Sequence, residues 1–278
     1  MGPGSDETPP HPDPAHLRLR RCRHGLMLYS VSDVYLGTML ELYGEFSEAE
    51  NDLFRKILRP GMTAVEIGAN IGAHSLSIAS MIGREGRLLA FEPQRAVFQM
   101  LCANLALNGV LHVEAHWAAI GNRDGDIRVP FLDPARRANF GGVSLGQTIT
   151  GEAVRLATLD SFALPQCHFL KIDCEGMEFE AIDGARATLA RHAPIVYAEN
   201  DRAEKSGILV RLMLDLGYRC YWHRPAYVRI PNFRSNPENR FPGLRSTNML
   251  CVPRARGITV TGLQEIVQPE QKTSAPGS

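Results

Sequence analysis

The chain has 278 residues, 44% hydrophobic and 22% charged, with 30 Lys and Arg against 30 Asp and Glu. This is the composition of a folded, water-exposed protein, and at this length folding buries roughly 70–75% of the unfolded chain's surface, so no disulfide or metal is needed to hold it together. The balanced charge argues against a strongly basic nucleic-acid binder or a membrane-surface protein, and no run approaches the ~18 apolar residues of a membrane-spanning helix.

The six cysteines, Cys22, Cys102, Cys167, Cys174, Cys220 and Cys251, form no C-x-x-C pair, so neither a zinc ribbon nor a redox dithiol is suggested. Cys102 and Cys251 stand in apolar surroundings and are expected as small core residues of a reduced compartment. The N-terminus carries no apolar secretory stretch, and Asp6 stands where a myristoylation signal needs Ser or Thr. The expected location is the cytoplasm.

Residues 1–16 include Pro3, Pro9, Pro10, Pro12 and Pro14 and predict a disordered arm. Residues 17–60 predict an N-terminal cover over an open sheet edge: an apolar, partly strand-like stretch at Gly25–Glu50 leads into a helix near Glu48–Leu58. Residues 61–267 form the main domain, with a substrate-side loop at about 222–248, and residues 268–278 a loose tail. Within the main domain short apolar runs alternate with helical patterns, the mark of a mostly parallel sheet covered by helices on both faces. The strands are Thr63–Ile67, Arg87–Phe91, Val113–Ala118, His168–Ile172 and Ile195–Glu199. Helices are expected at Ala73–Ile82, through Val97, Leu101 and Leu105 to an Asn108-Gly109 stop, from Met177 and Ala185, and through Leu209, Leu212, Met213 and Leu216. Arg219–His223 and Thr247–Val252 follow with no helix between them, so the seven-stranded sheet should end in an antiparallel strand.

The most informative segment is Val65-Glu66-Ile67-Gly68-Ala69-Asn70-Ile71-Gly72-Ala73. A strand runs into a glycine-bearing turn that opens a helix, where glycines let the backbone approach a ligand and the helix start offers free N–H groups. Glu92 ends the next strand, 24 residues after Gly68, where a carboxylate can accept both hydroxyls of a ribose. Aligned on the dinucleotide fingerprint, Asn70 replaces the glycine that makes room for a pyrophosphate. Glu66 repels phosphate and suits an ammonium, which favours S-adenosylmethionine over NAD.

At this point the chain resembles the FkbM-type family of S-adenosylmethionine-dependent methyltransferases. The matching segments are VEIGANIGAHS (Val65–Ser75), LLAFEP (Leu88–Pro93), NLALNG (Asn104–Gly109), TLDSF (Thr158–Phe162), FLKIDCEGMEFEAIDGA (Phe169–Ala185), YAEN (Tyr197–Asn200) and NMLCVP (Asn248–Pro253). They span about residues 43–253. The resemblance implies a class I Rossmann-like methyltransferase fold and, for many members, methylation of a hydroxyl on a sugar or natural product. Carried over by position, it implies that Glu66, Gly68, Ala69, Asn70 and Gly72 line the methionine side of the cofactor and that Glu92 holds the ribose. Ala119 and Asn122, after the third strand, are the expected adenine contacts; an ordinary turn is the alternative.

Transfer of a methyl group to oxygen needs the acceptor aligned and its proton removed. The strand end Lys171-Ile172-Asp173-Cys174-Glu175-Gly176 should open onto that place, with Asp173 the first candidate base and Glu175 the second; helix capping is the competing role for Glu175 and for Glu178. His74 is a third candidate, against a packed structural histidine. Asp173, Glu199 and Asn200 are oxygen donors of the type Mg²⁺ prefers, although the resemblance requires no metal and none is assigned. Tyr43-Gly44-Glu45 and the loop bearing Tyr221, Trp222, Tyr227, Asn232, Phe233, Asn236, Asn239 and Arg240 combine aromatics with amides and suit a small-molecule or glycan acceptor with a free hydroxyl. The motif that stacks a flipped base is replaced by Asp173-Cys174-Glu175-Gly176, so neither nucleic acid nor membrane is expected as a partner. The alternatives are a nucleic-acid methyltransferase and a non-catalytic nucleoside-binding protein. Oligomeric state is unreadable.

Overall fold

The computed structural model describes residues 15–144 and 150–267; the expected tail and all but the last two residues of the expected arm lie outside them. An antiparallel hairpin of β1 (Leu17–Cys22) and β2 (Gly25–Ser30) leads to α1 (Leu36–Tyr43) and α2 (Glu48–Ile57). The βα units follow: β3 (Thr63–Ile67), α3 (Ala73–Ile82), β4 (Arg87–Phe91), α4 (Arg95–Leu107) and β5 (Val113–His116). A small sheet of β6 (Ala119–Ile120), β7 (Gly125–Val129) and β8 (Glu152–Ala157) interrupts them. Then come β9 (Phe169–Ile172), α5 (Glu178–Asp183), α6 (Arg186–His192), β10 (Ile195–Glu199), α7 (Ala203–Asp215), β11 (Tyr218–His223), β12 (Asn248–Pro253) and β13 (Gln264–Ile266).

The main sheet has the order β13-β11-β12-β10-β9-β3-β4-β5. Strands β3, β4, β5, β9 and β10 pair in parallel, and β12 runs antiparallel between β10 and β11. This is the expected seven-stranded sheet with one addition, the three-residue β13 on the edge of β11. A strand that short leaves no alternation to read in the sequence.

Strand residues alternate between two cores. Val65, Ile67, Leu170, Ile172, Val196 and Ala198 meet Ile182, Leu189, Leu209 and Met213 on one face. Ala64, Leu88, Phe169 and Tyr197 meet Phe54, Ile78 and Ile82 on the other. Glu66 and Lys171 belong by this period to the second face, beside each other in register. Five cysteines are buried and all six are free, but Cys102 is exposed on α4, not in the core as expected; it falls on the outer side of the helix whose inner side is Val97, Leu101 and Leu105.

The N-terminal cover sits on α4 and not on an open sheet edge. Asn104 and Asn108, one turn apart, each bond both the N–H and the C=O of a β2 residue, Leu28 and Leu26 respectively, at 2.6–3.0 Å. Two amide side chains thus stand in for a neighbouring strand, which satisfies backbone groups that would otherwise go unpaired. The chain between β11 and β12 packs against α1: Tyr43 C=O accepts from the Arg234 N–H at 3.1 Å, the Tyr43 hydroxyl accepts from the Arg240 N–H at 2.9 Å, and Glu45 accepts from the Phe233 N–H at 2.7 Å.

An ion network locks that junction. The Glu48 carboxylate, fully buried, bonds His24, accepts from Arg55 and Asn51 at 3.0 and 2.9 Å, and lies 3.6 Å from Arg229. Burial alone would push its carboxyl up; His24, then Arg55 and Asn51, outweigh this and hold it down at about 2. A carboxyl with a depressed folded pKa stabilises the protein above its unfolded value, and this is lost as pH falls through the folded one. Stability should therefore drop by about 3 kcal/mol between pH ~5 and pH ~2 through this group, and Glu48→Gln should lower stability at pH 7 by about 2–3 kcal/mol while flattening that acid limb in denaturant titrations.

At the centre of the sheet Gly68 has φ +83°, and a Cβ there would lie 1.7 Å from the Asp173 carbonyl oxygen. No side-chain rotation relieves a clash with backbone. Gly68→Ala should cost upwards of about 3 kcal/mol, read as a fall in Tm or failure to fold.

Candidate functional site

The order of the sheet reverses between β3 and β9, and ligands of such sheets bind in the crevice outside the strand ends at that reversal. A cleft of about 310 Å³ opens there, within the size range of small-molecule sites. Of the residues singled out in the sequence, Glu66, Gly68, Ala69, Asn70, His74, Glu92, Ala119, Asp173, Glu175 and Glu199 line it. Gly72 and Asn122 do not: the missing Cβ of Gly72 makes way for Leu101, and the Asn122 amide donates to Asp183 at 3.2 Å. The glycines of the turn therefore answer to approaching protein atoms, the Asp173 carbonyl and Leu101, before any ligand.

The side of the cleft beside β4 is built around Glu92, which is 3% exposed. Its two oxygens accept the N–H groups of Asn70 and Gln94 at 2.9 and 2.8 Å. Each oxygen keeps a lone pair for a further donor. Burial pushes its carboxyl up to about 7 despite those two bonds. Asn70 holds the turn in the left-handed region, φ 50°, and accepts from the Ile71 N–H at 2.8 Å, a conformation asparagine tolerates better than most residues. The backbone of Ala118–Ile120 closes this side.

Between the two sides lie Glu66 and Lys171. Glu66 is 1% exposed and accepts from the Ser75 hydroxyl at 2.6 Å; burial raises its carboxyl, partly countered by Lys171. Lys171 Nζ stands 3.6 Å from Glu66 Oε1 and 3.3 Å from Asp173 Oδ2. Buried carboxylates suit ribose hydroxyls and an ammonium, and would repel the phosphates of a dinucleotide, so the donor set fits S-adenosylmethionine.

Beyond Lys171 the cleft turns acidic. Asp173, whose side chain is 40% exposed, Glu175 and Glu199 bring carboxylate oxygens within 4.8 Å of one another. Glu175 has φ 55° and pairs with Arg202 at 3.1 Å. Burial, then the Asp173 charge, pushes Glu175 up to about 8, and the same two causes raise Glu199 well above the usual carboxyl range. The trio differs from the Asp173, Glu199 and Asn200 set considered from sequence, because Glu175 takes the third place. Its oxygens are of the type a divalent cation accepts, but Lys171 and Arg202 already supply two positive charges to it, and we assign it no ion. Glu178, the first residue of α5, braces the loop before the helix and does not cap it: its Oε1 accepts from the N–H groups of Cys174 and Gly176 at 3.2 and 2.9 Å, and the N-cap Met177 makes no side-chain cap bond.

His74 is 5% exposed, with Nε2 3.4 Å from Glu50 and Nδ1 3.3 Å from Asn51. Burial, then Lys171, holds it well below its usual pKa, so it is neutral. Phe46, Tyr35, Tyr227, Leu244 and Arg245 also line the cleft. Of the aromatic and amide residues named in the long loop, only Tyr227 lines the cleft; Asn236 donates to the Leu42 carbonyl at 3.3 Å and His223 bonds the Tyr197 hydroxyl at 2.8 Å. Sequence reasoning gave no role to Lys171 or Phe46. The i, i+2 spacing of Lys171 and Asp173 was a readable signal for the first; nothing in the sequence marks the second.

Comparison with curated proteins finds no match. Among solved structures the chain is similar to the methyltransferase FkbM from Methylobacillus flagellatus KT, at 16% identity and TM-score 0.47 over 73% of this chain and 50% of that one; this chain therefore spans about half that protein's length. It is also similar to a putative rRNA-methylase from Clostridium thermocellum, at 11% identity and TM-score 0.42 over 80% and 96%. A third is a SAM-dependent methyltransferase from Aquifex aeolicus, at 14% and 0.39 over 77% and 93%. A family model described as the methyltransferase FkbM domain matches residues 66–220, more than half of the chain. The chain belongs to the FkbM methyltransferase family, and its sheet has the Rossmann-like order with the reversal between β3 and β9.

Proposed function

We propose that this protein methylates a hydroxyl group on a small, uncharged acceptor, a sugar or a hydroxylated natural product. The observation that carries the reading is that an aromatic pair, Phe46 and Tyr227, 5.6 Å apart, and the carboxylates of Asp173, Glu175 and Glu199 line one cleft. Aromatic faces stack on apolar ring surfaces, and carboxylates bond hydroxyls. The same carboxylates repel phosphate, and nucleic-acid binding needs the opposite sign of charge.

When bound, S-adenosylmethionine supplies the electrophilic methyl group. On this reading Glu92 accepts the ribose hydroxyls through its spare lone pairs, and Glu66 holds the methionine ammonium. Asp173 accepts the acceptor's hydroxyl proton at the oxygen not engaged by Lys171, while the new O–C bond forms. The Lys171 ammonium engages one Asp173 oxygen at 3.3 Å and leaves the other free to take the proton. His74, enclosed by Glu50, Asn51, Phe46 and Phe54, orders the floor instead of exchanging protons with an acceptor.

Two variants test the reading. Asp173→Asn should lower methyl transfer by roughly 10²–10⁴-fold, while S-adenosylhomocysteine affinity by calorimetry stays within a few-fold of the parent. Transfer would be assayed over a panel of methyl glycosides and polyketide alcohols, with an RNA oligonucleotide as the contrasting acceptor; methylation of the RNA alone would overturn the proposal. Glu92→Ala should weaken S-adenosylhomocysteine binding about 10–100-fold, the cost of losing hydrogen bonds to a charged group, and unchanged affinity would show that the ribose lies elsewhere.

A further inference from the structure

Lys171 takes no direct part in the roles assigned above, yet its side chain is only 2% exposed at the centre of the cleft floor. Taking an ammonium out of water costs several kcal/mol unless charged partners repay it. The partners are arranged in a row. In the parallel register of β3 and β9, Lys171 is opposite Glu66 and on its other side opposite Tyr197 of β10. Asp173 is two residues further on, where the strand period returns the side chain to the same face. Nζ reaches Glu66 at 3.6 Å and Asp173 at 3.3 Å. Glu50 of α2 adds a third negative charge to the surroundings of Lys171. Burial lowers the Lys171 pKa, but Asp173, Glu66 and Glu50 together more than reverse this, so the group keeps its proton and cannot serve as the base itself.

We propose that Lys171 is a positioning residue for methyl transfer, its ammonium holding Glu66 and Asp173 as a fixed pair of carboxylates on the two sides of the point of transfer. The Asp173 half rests on the function proposed above; the Glu66 half depends only on the cofactor. The groups that face Glu66 are Lys171 and Asp173 from β9 and its approach, and Ser75 from α3; Glu92, at the end of β4, feels the Glu66 charge from further off. Without Lys171, Glu66 has no cation in this set and takes up a proton that the ligand's ammonium must expel on binding.

The test uses Lys171→Met and Lys171→Arg in the full chain, with S-adenosylhomocysteine as the calorimetric probe at pH 6 and pH 8.5. Lys171→Met should weaken binding from pH 8.5 to pH 6 by about tenfold more than the parent does, because the buried Glu66 carboxylate loses its cation, and Lys171→Arg should restore the parental dependence. Equal pH dependence in parent and Lys171→Met would overturn the Glu66 half. On the acceptor side, using the methyl glycoside turned over most rapidly in the panel, Lys171→Met should reduce kcat about 10²-fold with little change in KM. Adding Lys171→Met to Asp173→Asn should then cost less than about threefold beyond Asp173→Asn alone, because both changes remove one unit; multiplicative losses would overturn the Asp173 half. If Lys171→Met does not fold, Lys171→Met/Glu50→Gln removes one charge of each sign and is read in the same comparisons against Glu50→Gln. Intact transfer by Asp173→Asn, together with the altered pH dependence of binding, would refute the proposed acceptor chemistry and leave the Glu66 half standing.

Discussion

The cleft depends on one backbone contact, the Asp173 carbonyl pressed against the Cα of Gly68. The chain leaves β3 and β9 at neighbouring strand ends, and here the two exits are close enough that any side chain at position 68 would collide with the other exit. The Asp173 N–H donates to the Ile67 carbonyl at 2.9 Å, extending the β3–β9 ladder by one bond past the strand. That bond sets where the Asp173 side chain emerges. The same turn brings the Asn70 N–H to Glu92, so the two sides of the site are referred to one short stretch of backbone, Ile67–Asn70.

Below that contact the floor is polar, which is unusual for the middle of a sheet and its covering helices. Glu50 accepts from the Ser246 hydroxyl at 2.8 Å and the Asn248 amide at 3.0 Å, and faces His74. The Asn51 carbonyl oxygen lies 3.3 Å from the other nitrogen of His74 and accepts from the Ser77 hydroxyl at 2.5 Å, while its amide donates to Glu48. The chain of contacts thus runs from the cover through α2 and α3 to the start of β12. Replacing such a network by apolar packing would often stabilise a protein; a satisfied network instead admits few arrangements. Here it fixes α2 and the long loop relative to the strand ends, which is how Phe46 and Tyr227, far apart in sequence, come to stand 5.6 Å apart, centroid to centroid, in one wall.

The parallel core of the fold was legible because its central strands are buried on both faces and read as short, mainly apolar runs, Thr63–Ile67 interrupted by Glu66 and Phe169–Ile172 by Lys171. Gly68 and Glu92 could be found because a strand-turn-helix unit puts its chemistry at known offsets. The cover was misplaced for an equally physical reason: it is held by Asn104 and Asn108, whose side chains pair with β2, and a sequence shows an Asn-Gly only as a helix stop. Cys102 was misread because apolar neighbours along a helix do not say which side the cysteine faces. The long loop was over-read, since aromatics and amides serve equally well to fasten a loop onto α1 as to bind a sugar. Lys171 went unassigned because a lysine in a strand is ordinarily exposed, and only its partners show that it is not.

The charge balance of the whole chain, 30 against 30, says little about the cleft, and the formal charges there say only slightly more. Glu92 at about 7 and Glu175 at about 8 hold protons for part of the time near neutrality, and burial with the Asp173 charge shifts Glu199 in the same direction. A protonated carboxyl donates a hydrogen bond and an ionised one accepts. The acidic end of the cleft therefore offers a donor in Glu175 or Glu199 beside the oxygens of Asp173, one of which Lys171 bonds at 3.3 Å. A hydroxyl is itself both donor and acceptor and satisfies both at once. A phosphodiester lacks the proton to give Asp173, and an amine cation has no lone pair for the protonated carboxyl. On the proposed reading, the selectivity for alcohols comes from this unequal protonation of neighbouring acids.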